Sequence, residues 1–540
     1  MFLQKANQKH LKRRDFLKLS GMAAAGLAVA RCTPNIPVLN DQPCLSGSFI
    51  SRKIIIIGSG FGGSIAARRL TESGQEVTLL ERGKEWTTDG TTKVFSDAFG
   101  TDNRAAWLSL ENPLPFGLPI SYSRKYIGIL EKFKGQNMSV NAAACLGGGS
   151  VTFGGIWAKP AADVFNRLFS SSVSYPELDT TYFPMVLQDM HCTEIPHTLA
   201  QHPLFRYKDI FKQHNEAAGL ETVKLQNNFD WPVLQEEING TKVKSAVAGE
   251  CVFGTSSGVK ITANDTYLKR AKQTGRLEIK TQTIVREIAL NCDNRYLVYA
   301  DEIDESGSVT ASVIYNCEYV FLAAGSIGTS VLLTKAKAKN TIPNLNEFVG
   351  QGWGNNGSSL FLRGGIDVAT GAQQSFPPVY AAQDVTNPDM PFYIENFPFN
   401  FSSIDLRAIG YNFMGLHHTR GYFKYNAAAD TADLIYPQRS LSNQQVMNAA
   451  AKAILDRIIL RNGGALNGLL GAIPLDTSTY HPLGGAVLAK ATDDYGRIKN
   501  NAKLYVIDGA LLPGAAGCNP AWTICALAER NMEHILNNDF

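Results

Sequence analysis

The chain has 540 residues, of which 44% are hydrophobic, and its 51 Lys and Arg residues against 48 Asp and Glu residues give a formal net charge of +3. This length accommodates two domains, and the near balance of charge, with no basic run beyond the N-terminus, argues against a nucleic-acid partner. The nine cysteines show no metal-ligand spacing, so we expect no structural metal site and no predictable disulfide framework.

The first 31 residues have the features of an export signal. A charged segment at 12–18 (KRRDFLK) precedes an apolar run of small residues at 19–30 that is too short to span a membrane. The paired arginines favour the twin-arginine route, so we expect an exported protein that is periplasmic or secreted. Two alternatives stay open. One is a lipid anchor at Cys32, although Arg31 stands where a small residue is preferred, and the other is a cytosolic N-terminal helix.

The segment KIIIIGSGFGG, which begins at Lys53, predicts a strand followed by a phosphate-binding turn. Four consecutive isoleucines suit a strand that is buried on both faces of a parallel sheet. In the G-x-G-x-x-G that follows, Gly58 permits the tight turn, Gly60 lets the backbone approach a pyrophosphate, and Gly63 lets the helix at 64–73 pack closely. The free N–H groups at the start of this helix would bind the phosphates.

A second strand, at 77–80, ends on Glu81. This is the acidic residue, about 20 positions after the glycines, that accepts a hydrogen bond from a ribose hydroxyl. Strand, glycines, helix, strand and acid in this order indicate that the chain binds a dinucleotide through its ADP moiety. The alternative is a glycine-rich turn that holds no ligand.

Later segments extend this pattern. Residues 147–155 (GGGSVTFGG) have apolar and aromatic flanks, and we interpret them as a buried glycine surface for a large group rather than as a flexible loop. Two strand pieces are expected within 275–288. Strands at 319–324 and 504–507 are each followed by glycines and by a helix, at 329–336 and up to Ile535 respectively. Before the last helix, Asn519 is expected to be the N-cap and Pro520 to lie in the first turn.

The cofactor domain is therefore expected to be assembled from three separate stretches: 52–159, 248–349 and 471–540. A discontinuous domain favours FAD over NAD, because the flavin must reach between domains. The intervening segments, 160–247 and 350–470, contain alternating strand patterns and a helical run at 443–461, and 32–51 is interpreted as a linker. The expected fold class is α/β (α+β overall), with a discontinuous Rossmann-like FAD-binding domain and an inserted substrate domain built on an antiparallel sheet with helices.

Seven segments occur in an order that resembles one family. They are GSGFGGSIAARRL, LGGGS…GG, ECVFGTSSGVKITANDTYL, FLAAGSIGTSVLL, PNLNEFVGQGWGNNG, YHPLGGAVLAKATDDYGRI and LYVIDGALLPGAAGCNPAWTICALAERN. The series is similar to the cholesterol oxidases with non-covalently bound FAD, which are related to the glucose–methanol–choline oxidoreductases. The resemblance covers nearly everything after residue 50.

This resemblance implies where the cofactor and the reaction centre lie. Glu395, His481 and Asn519 match the three active-site positions of the family. The other matches would contact FAD: Phe61, Gly62 and Glu81 at its ADP half, Val285 at the adenine, Gly149, Phe153, Gly154 and Ile156 along the flavin, and Asp508, Gly509 and Ala521 on the other side of the flavin.

Three of these positions depart from the family. Phe153 replaces an asparagine, Ile156 a methionine and Ala521 a phenylalanine, all beside the flavin or the oxygen path. The resemblance is therefore the weakest guide to two properties of this protein, its reactivity with oxygen and its redox potential. Trp522, next to Ala521, is expected to restore some of the lost aromatic volume.

The residues themselves suggest the chemistry. His481 is held in YHPLGG, whose glycines leave space around the ring, so we expect it to hydrogen-bond an alcohol and act as base or orienting group rather than as an ordinary core histidine. Asn519 would donate to the flavin or to the substrate oxygen. Glu395 lies among aromatic residues (FYIENFPFNF), where desolvation raises the pKa of a carboxylate and suits it to shuttle a proton. The alternative is a glutamate that points to solvent from an alternating strand.

The sequence therefore predicts an FAD-dependent 3β-hydroxysteroid oxidase that uses O2, releases H2O2 and moves the Δ5 double bond to Δ4. Non-covalent FAD is expected because no histidine lies within 147–155. One alternative is a sterol or alcohol dehydrogenase with another electron acceptor, and a second is a sterol-binding flavoprotein without turnover. We expect a monomer that meets its sterol through transient contact with a sterol-bearing membrane surface.

Overall fold

The computed structural model describes residues 48–97, 100–113, 121–169, 172–398, 400, 404–466, 472–473 and 477–540. The export signal, the lipid-anchor alternative at Cys32 and most of the linker lie outside these residues. None of the helices in the described part of the chain combines the length and the apolarity that crossing a bilayer requires.

The described strands are β1 (Ile50–Ile57), β2 (Val77–Leu80), β3 (Leu130–Lys134), β4 (Ser139–Ala143), β5 (Ile156–Trp157), β6 (Glu221–Lys224), β7 (Gln226–Asn227), β8 (Leu277–Lys280), β9 (Thr283–Leu290), β10 (Tyr296–Ile303), β11 (Val309–Leu322), β12 (Gln351–Trp353), β13 (Ser358–Gly364), β14 (Tyr380–Asp384), β15 (Phe392–Phe397), β16 (Ile409–Gly415), β17 (Gly421–Asn426), β18 (Thr431–Ile435), β19 (Ala465–Leu466), β20 (Ala472–Ile473), β21 (Ser478–Thr479) and β22 (Leu504–Val506).

The described α-helices are α1 (Phe61–Glu72), α2 (Gly149–Thr152), α3 (Ala162–Phe169), α4 (Tyr175–Glu177), α5 (Phe183–Asp189), α6 (His197–Ala200), α7 (Arg206–Ala217), α8 (Trp231–Asn239), α9 (Tyr267–Gln273), α10 (Gly325–Lys339), α11 (Gln444–Asn462) and α12 (Ala521–Asp539). Single turns of 3-10 helix lie at Asn103–Ala105, Pro203–Phe205, Arg439–Leu441 and Gly509–Leu511, and a π-helical turn lies at Leu178–Tyr182.

The first seven-stranded sheet contains the dinucleotide-type strands. Its order is β8-β2-β1-β11-β10-β9, and β22 pairs with the end of β11. The strands β8, β2, β1, β11 and β22 run parallel, whereas β10 is antiparallel to both β11 and β9. The four consecutive isoleucines of β1, Ile54 to Ile57, are all buried, as a central parallel strand requires, and α1 packs against β1 and against the helices α9 and α12.

The second seven-stranded sheet is antiparallel, with the order β19-β13-β16-β15-β14-β6 and β20 beside β13. The helices α7 and α11 pack on one face, where Phe361, Phe392 and Phe413 join Met447 and Leu455 in a common core. The opposite face carries a row of cross-strand neighbours, Leu360, Asn412 and Glu395, that borders a cavity. The sheets confirm the predicted fold class, while the domain boundaries stay a prediction.

Several element boundaries differ from the sequence-based ones. The strand expected at 319–324 is the end of the longer β11, which pairs along its first part with the antiparallel β10 and at its end with the parallel β22. No strand is predicted from the sequence at the position of β10, because the alternation there is weak. Helix α1 begins at Phe61 rather than at Ser64, and α10 extends from Gly325 to Lys339, because helical hydrogen bonding includes glycines that the sequence pattern places in the preceding loops.

The helix α12 lacks the predicted N-cap. Pro520 occupies the capping position, and no side chain there accepts a hydrogen bond from the helix. The side-chain amide of Asn519 instead points away from the helix, and its Nδ2 lies 3.5 Å from Oε2 of Glu395. The prediction that Asn519 caps this helix is therefore wrong, because the residue is engaged by a carboxylate from the antiparallel sheet.

The cysteines are mostly free. Six of them, Cys145, Cys192, Cys251, Cys317, Cys518 and Cys525, are buried thiols, whereas Cys292 is disulfide-bonded. Cys32 and Cys44 lie outside the described residues. Sequence spacing could not have indicated a disulfide at Cys292, because pairing depends on which distant segments the fold brings together.

Candidate active site

A cavity of 2070 Å3 lies between the dinucleotide-type sheet and the antiparallel sheet. It is lined by every residue that the sequence assigned to cofactor or catalysis except Gly63, which packs α1 against the turn after β1. Pockets for one drug-sized ligand measure about 300–1,000 Å3. The cavity therefore has room for a dinucleotide and a second, smaller molecule.

The first glycine loop forms one end of this cavity. Gly58 has φ +97°, a conformation that favours glycine, and a side chain on Gly62 would collide with the carbonyl oxygen of Ile507. A Cβ on Gly60, by contrast, would meet nothing within 4 Å. The loop is thus packed tightly on its protein side and open toward the cavity at Gly60.

Glu81 and Ser59 connect the two glycine-rich segments. One carboxylate oxygen of Glu81 accepts hydrogen bonds from the backbone N–H and the hydroxyl of Ser59, at 3.1 and 2.6 Å, and the other accepts from Gly83 N at 2.8 Å. The Ser59 hydroxyl oxygen also accepts from Gly147 N at 3.0 Å. The oxygen that accepts from Ser59 uses both of its lone pairs, whereas the oxygen that accepts from Gly83 N keeps one lone pair for a ribose hydroxyl. Sequence reasoning missed Ser59, since it occupies a variable position of the motif.

Residues 260–264 support the segment 147–155 through hydrogen bonds on the side away from the cavity. Asn264 Nδ2 donates to Leu146 O at 2.9 Å, and Ala263 N donates to the Ser150 hydroxyl at 3.0 Å. Ser150 in turn donates to Gly147 O at 2.7 Å. These hydrogen bonds hold the glycine-rich segment 147–155 in place, and it forms one wall of the cavity.

An aromatic cluster closes this wall. The rings of Phe61, Phe153 and Trp157 meet edge to face, with centroids 5.3 to 5.8 Å apart. Trp522 does not contribute to it. Its indole N–H donates to Phe183 O at 2.9 Å, its ring packs on Phe183, and it does not line the cavity. The expectation that Trp522 replaces aromatic volume beside Ala521 is wrong, because α12 turns that side chain toward the protein core.

Asp508 and Gly509 line the cavity between β22 and α12. Asp508 accepts hydrogen bonds from the Thr329 hydroxyl at 2.6 Å and from Ala510 N at 2.8 Å. Burial raises the pKa of Asp508 to about 6. Val285 lines another part of the cavity. It lies on β9, where it pairs with Ala300 of β10.

Glu395 is the buried carboxylate of the site. It is 3% exposed, and its Oε2 lies 3.5 Å from Nδ2 of both Asn412 and Asn519. Burial raises the pKa of Glu395 to about 8, and the two amides only partly offset this effect. The side chain therefore does not point to solvent, and the group can change protonation state near neutral pH.

Polar oxygens around Glu395 lack partners within the described residues. They are Oε1 of Glu395 itself and Oδ1 of Asn396, Asn412 and Asn519. Buried acceptors are usually hydrogen-bonded, and Glu395, Asn396, Asn412 and Asn519 all line the cavity. This cluster is therefore suited to receive donors from a bound ligand, such as a hydroxyl group.

His481 lies in the loop that follows β21. Its backbone N–H donates to the Thr479 hydroxyl at 3.1 Å, while its ring makes no hydrogen bond within the described ranges. Burial lowers the pKa of His481 to about 4. The imidazole is therefore neutral at physiological pH, with a nitrogen free to accept a proton.

The family follows from comparison with known proteins. A family model described as GMC oxidoreductase matches residues 44–352, another with the same description matches 470–528, and one described as GMC oxidoreductase, C-terminal, matches 360–470. The chain belongs to the GMC oxidoreductase family. It is accordingly an oxidoreductase that acts on alcohols.

Individual relatives of this GMC oxidoreductase are distant. A protein named cholesterol oxidase from Acinetobacter baumannii is 23% identical over 89% of this chain and 94% of its own. An uncharacterised GMC-type oxidoreductase from Sinorhizobium fredii is 24% identical over 90% and 94%. Pyridoxine 4-oxidase from Mesorbium loti shares the fold with a TM-score of 0.61 and 15% identity, over 90% of this chain and all of that one.

GMC oxidoreductases bind FAD, and the cavity fits this cofactor. The open face of Gly60 suits a pyrophosphate, and Glu81 retains acceptor capacity for a ribose. Gly149 and Gly154 face the cavity with no closer contact than 3.4 Å for an added Cβ. A planar ring system could therefore lie against this backbone.

Proposed function

We propose that this GMC oxidoreductase oxidises the 3β-hydroxyl of a cholesterol-like sterol to the ketone, with O2 as electron acceptor, and then isomerises the Δ5 double bond to Δ4. The observation that carries the proposal is Glu395. A buried carboxylate that lines the cavity, with a pKa raised to about 8 and one unpartnered oxygen, suits a proton shuttle that simple alcohol oxidation does not need.

Oxidation requires a group that takes the hydroxyl proton. His481 lines the cavity as a neutral imidazole, so it can accept this proton from the C3 hydroxyl. The side-chain amide of Asn519 donates a hydrogen bond and orients the oxygen. The chemistry that bound FAD supplies is acceptance of the C3 hydride.

Isomerisation requires a base over another part of the steroid. In a Δ5-3-ketone the C4 proton is acidified by the carbonyl, and Glu395 can take it and return it at C6. Asn412 and Asn519 hold the carboxylate in place with long hydrogen bonds of 3.5 Å. The neighbouring Phe397 and Phe376, which also line the cavity, exclude the water that would otherwise exchange the proton.

The apolar end of the cavity supports a steroid-sized substrate. Leu360, Phe376, Pro378 and Phe397 line it together with Val252. Two relatives named cholesterol oxidase align over most of the chain. We propose accordingly that FAD is bound non-covalently and that the protein is an exported monomer, periplasmic or secreted, that takes its sterol by transient contact with a membrane surface.

A second candidate is a dehydrogenase that passes electrons to an acceptor other than O2. The observation that favours it is that residues expected to surround the flavin differ from those of the resembling family. Ala521 lines the cavity where the resembling family has a phenylalanine, and Phe153 stands in an aromatic cluster where that family has an asparagine. The reactivity of a reduced flavin with O2 depends on the residues around it.

One experiment tests both proposals. The purified protein is mixed anaerobically with a panel of sterols and simple alcohols, bleaching of the flavin absorbance is followed, and air is then admitted. Rapid bleaching by cholesterol and rapid recovery in air support the oxidase. Bleaching without recovery supports the dehydrogenase, and no bleaching by any sterol would refute both sterol assignments.

A further inference from the structure

A buried lysine stands behind the cavity wall with no part in the steps above. Lys260 is 2% exposed, and its Nζ donates hydrogen bonds to the carbonyl oxygens of Phe153, at 2.5 Å, and Cys251, at 3.1 Å. Both acceptors belong to residues that line the cavity. The ammonium group also lies 5.4 Å from the centre of the Phe153 ring.

Within the part of the chain that the structure describes, Lys260 differs from the other buried lysines in having no carboxylate partner. Among the described residues three lysines are buried, and Lys208 pairs with Asp209 while Lys335 pairs with Glu287 and Asp430. Around Lys260 the charged or titratable neighbours are the thiols of Cys251 and Cys145. A buried charge without a counter-ion is costly, so its retention calls for an anion that arrives from elsewhere.

The protonation state supports such a role. Burial lowers the pKa of Lys260 to about 8. The amine is thus still mostly protonated at neutral pH, while it is poised to respond to any negative charge that enters the cavity. Transfer of a hydride would add one negative charge to bound FAD, and the family resemblance implies that Phe153 lies along the flavin.

We propose that Lys260 is a positioning residue of the cofactor site, whose positive charge, acting through the Phe153 segment, stabilises FAD in its reduced form. The inference rests on the proposed FAD site but not on the sterol. Opposite charges attract strongly in a partly dry site, so the charge raises the midpoint potential of the cofactor. It also tightens the binding of sulfite, which adds negative charge to the flavin.

The test uses purified holoprotein without any sterol. Lys260→Gln keeps a hydrogen-bond donor for Phe153 O but removes the charge, and Lys260→Met removes both. Lys208→Gln, at a buried and paired lysine on α7, is the matched control. The two readouts are the sulfite dissociation constant, from bleaching of the flavin band, and the midpoint potential, from equilibration with reference dyes.

We expect Lys260→Gln to weaken sulfite binding at least about tenfold, equivalent to about 1.4 kcal/mol, and to lower the two-electron potential by about 30 mV. Lys208→Gln should match the wild type. An unchanged potential and unchanged sulfite affinity in Lys260→Gln would overturn the inference, even where Lys260→Met fails to retain FAD. That outcome leaves the proposed function intact. Conversely, if none of the sterols tested reduces the flavin of the wild type, the proposed function is refuted, but the role of Lys260 is not.

Discussion

Replacing Glu395 with glutamine tests whether a single carboxylate performs the isomerisation. Glutamine keeps the shape of the side chain and its hydrogen bonding to Asn412 and Asn519, but it cannot accept a proton. His481 and the cofactor wall are unaffected. We therefore expect Glu395→Gln to reduce its flavin with cholesterol at close to the normal rate, whereas conversion of the Δ5- to the Δ4-3-ketone slows by about 10²–10⁴-fold.

The raised pKa of Glu395 adds a quantitative pH dependence. With a pKa of about 8, the ionised fraction that can take the C4 proton is about one-half at pH 8, about one-tenth at pH 7 and about one-hundredth at pH 6. Burial lowers the pKa of His481 to about 4, so the imidazole stays neutral over this range. As the pH falls from 8 to 6, the wild type should keep oxidising cholesterol but release a growing share of Δ5-3-ketone.

The assay separates the two steps. Anaerobic bleaching of the flavin reports oxidation, and the near-ultraviolet absorbance of the conjugated enone, with chromatography of the two ketones, reports isomerisation. Glu250→Gln is the matched control, because burial also raises the pKa of Glu250, which pairs with Lys93 and does not line the cavity. Conjugated product at the normal rate from Glu395→Gln, or a ketone ratio that does not change with pH, would refute the assignment.

Three further predictions concern oxidation, cofactor retention and the glycine loop. His481→Gln should slow flavin reduction by about 10²–10⁴-fold with sterol binding retained, and a loss below about tenfold in stopped-flow traces would assign the base elsewhere. Acid precipitation should release intact FAD into the supernatant, and Glu81→Ala should retain less FAD after gel filtration; flavin that stays with the precipitate would contradict non-covalent binding. Gly62→Ala should lower the free energy of unfolding by about 1–3 kcal/mol through its clash with Ile507 O, whereas Gly60→Ala, with open space around it, should leave the stability of the apoprotein unchanged and weaken only FAD binding.

The parts of the fold that could be predicted are those with strong local patterns. Four isoleucines followed by glycines fix β1 and the turn after it, because few other structures accommodate that sequence. The helical run predicted at 443–461 is confirmed by α11, which covers Gln444–Asn462. The strand β10 was missed because its residues Tyr296–Ile303 mix charged and apolar side chains, and its place depends on pairing with β11 and β9.

Within the site, residue types were predictable but their connections were not. The resemblance pointed to Glu395 and Asn519, yet the contact between them joins positions 124 residues apart. The role of Ser59 in linking Glu81 to Gly147 could not be read from the motif, because its hydroxyl acts on a segment 88 residues later. The orientation of Trp522 was misjudged, since adjacent residues on a helix point in directions about 100° apart.

The two halves of the proposed reaction are built on different parts of the fold. The groups that would act on the sterol, Glu395 and His481, come from the antiparallel sheet and the loop after β21, and both match the family that the sequence resembles. The groups that would face the electron acceptor, Phe153 and Ala521, belong to the glycine wall and to α12, and both depart from it. The two regions meet where Asn519, just before α12, contacts Glu395, yet the departures from the resembling family lie on the electron-acceptor side. For this reason sterol oxidation and reoxidation by air must be measured as separate steps before the protein is classed as an oxidase or a dehydrogenase.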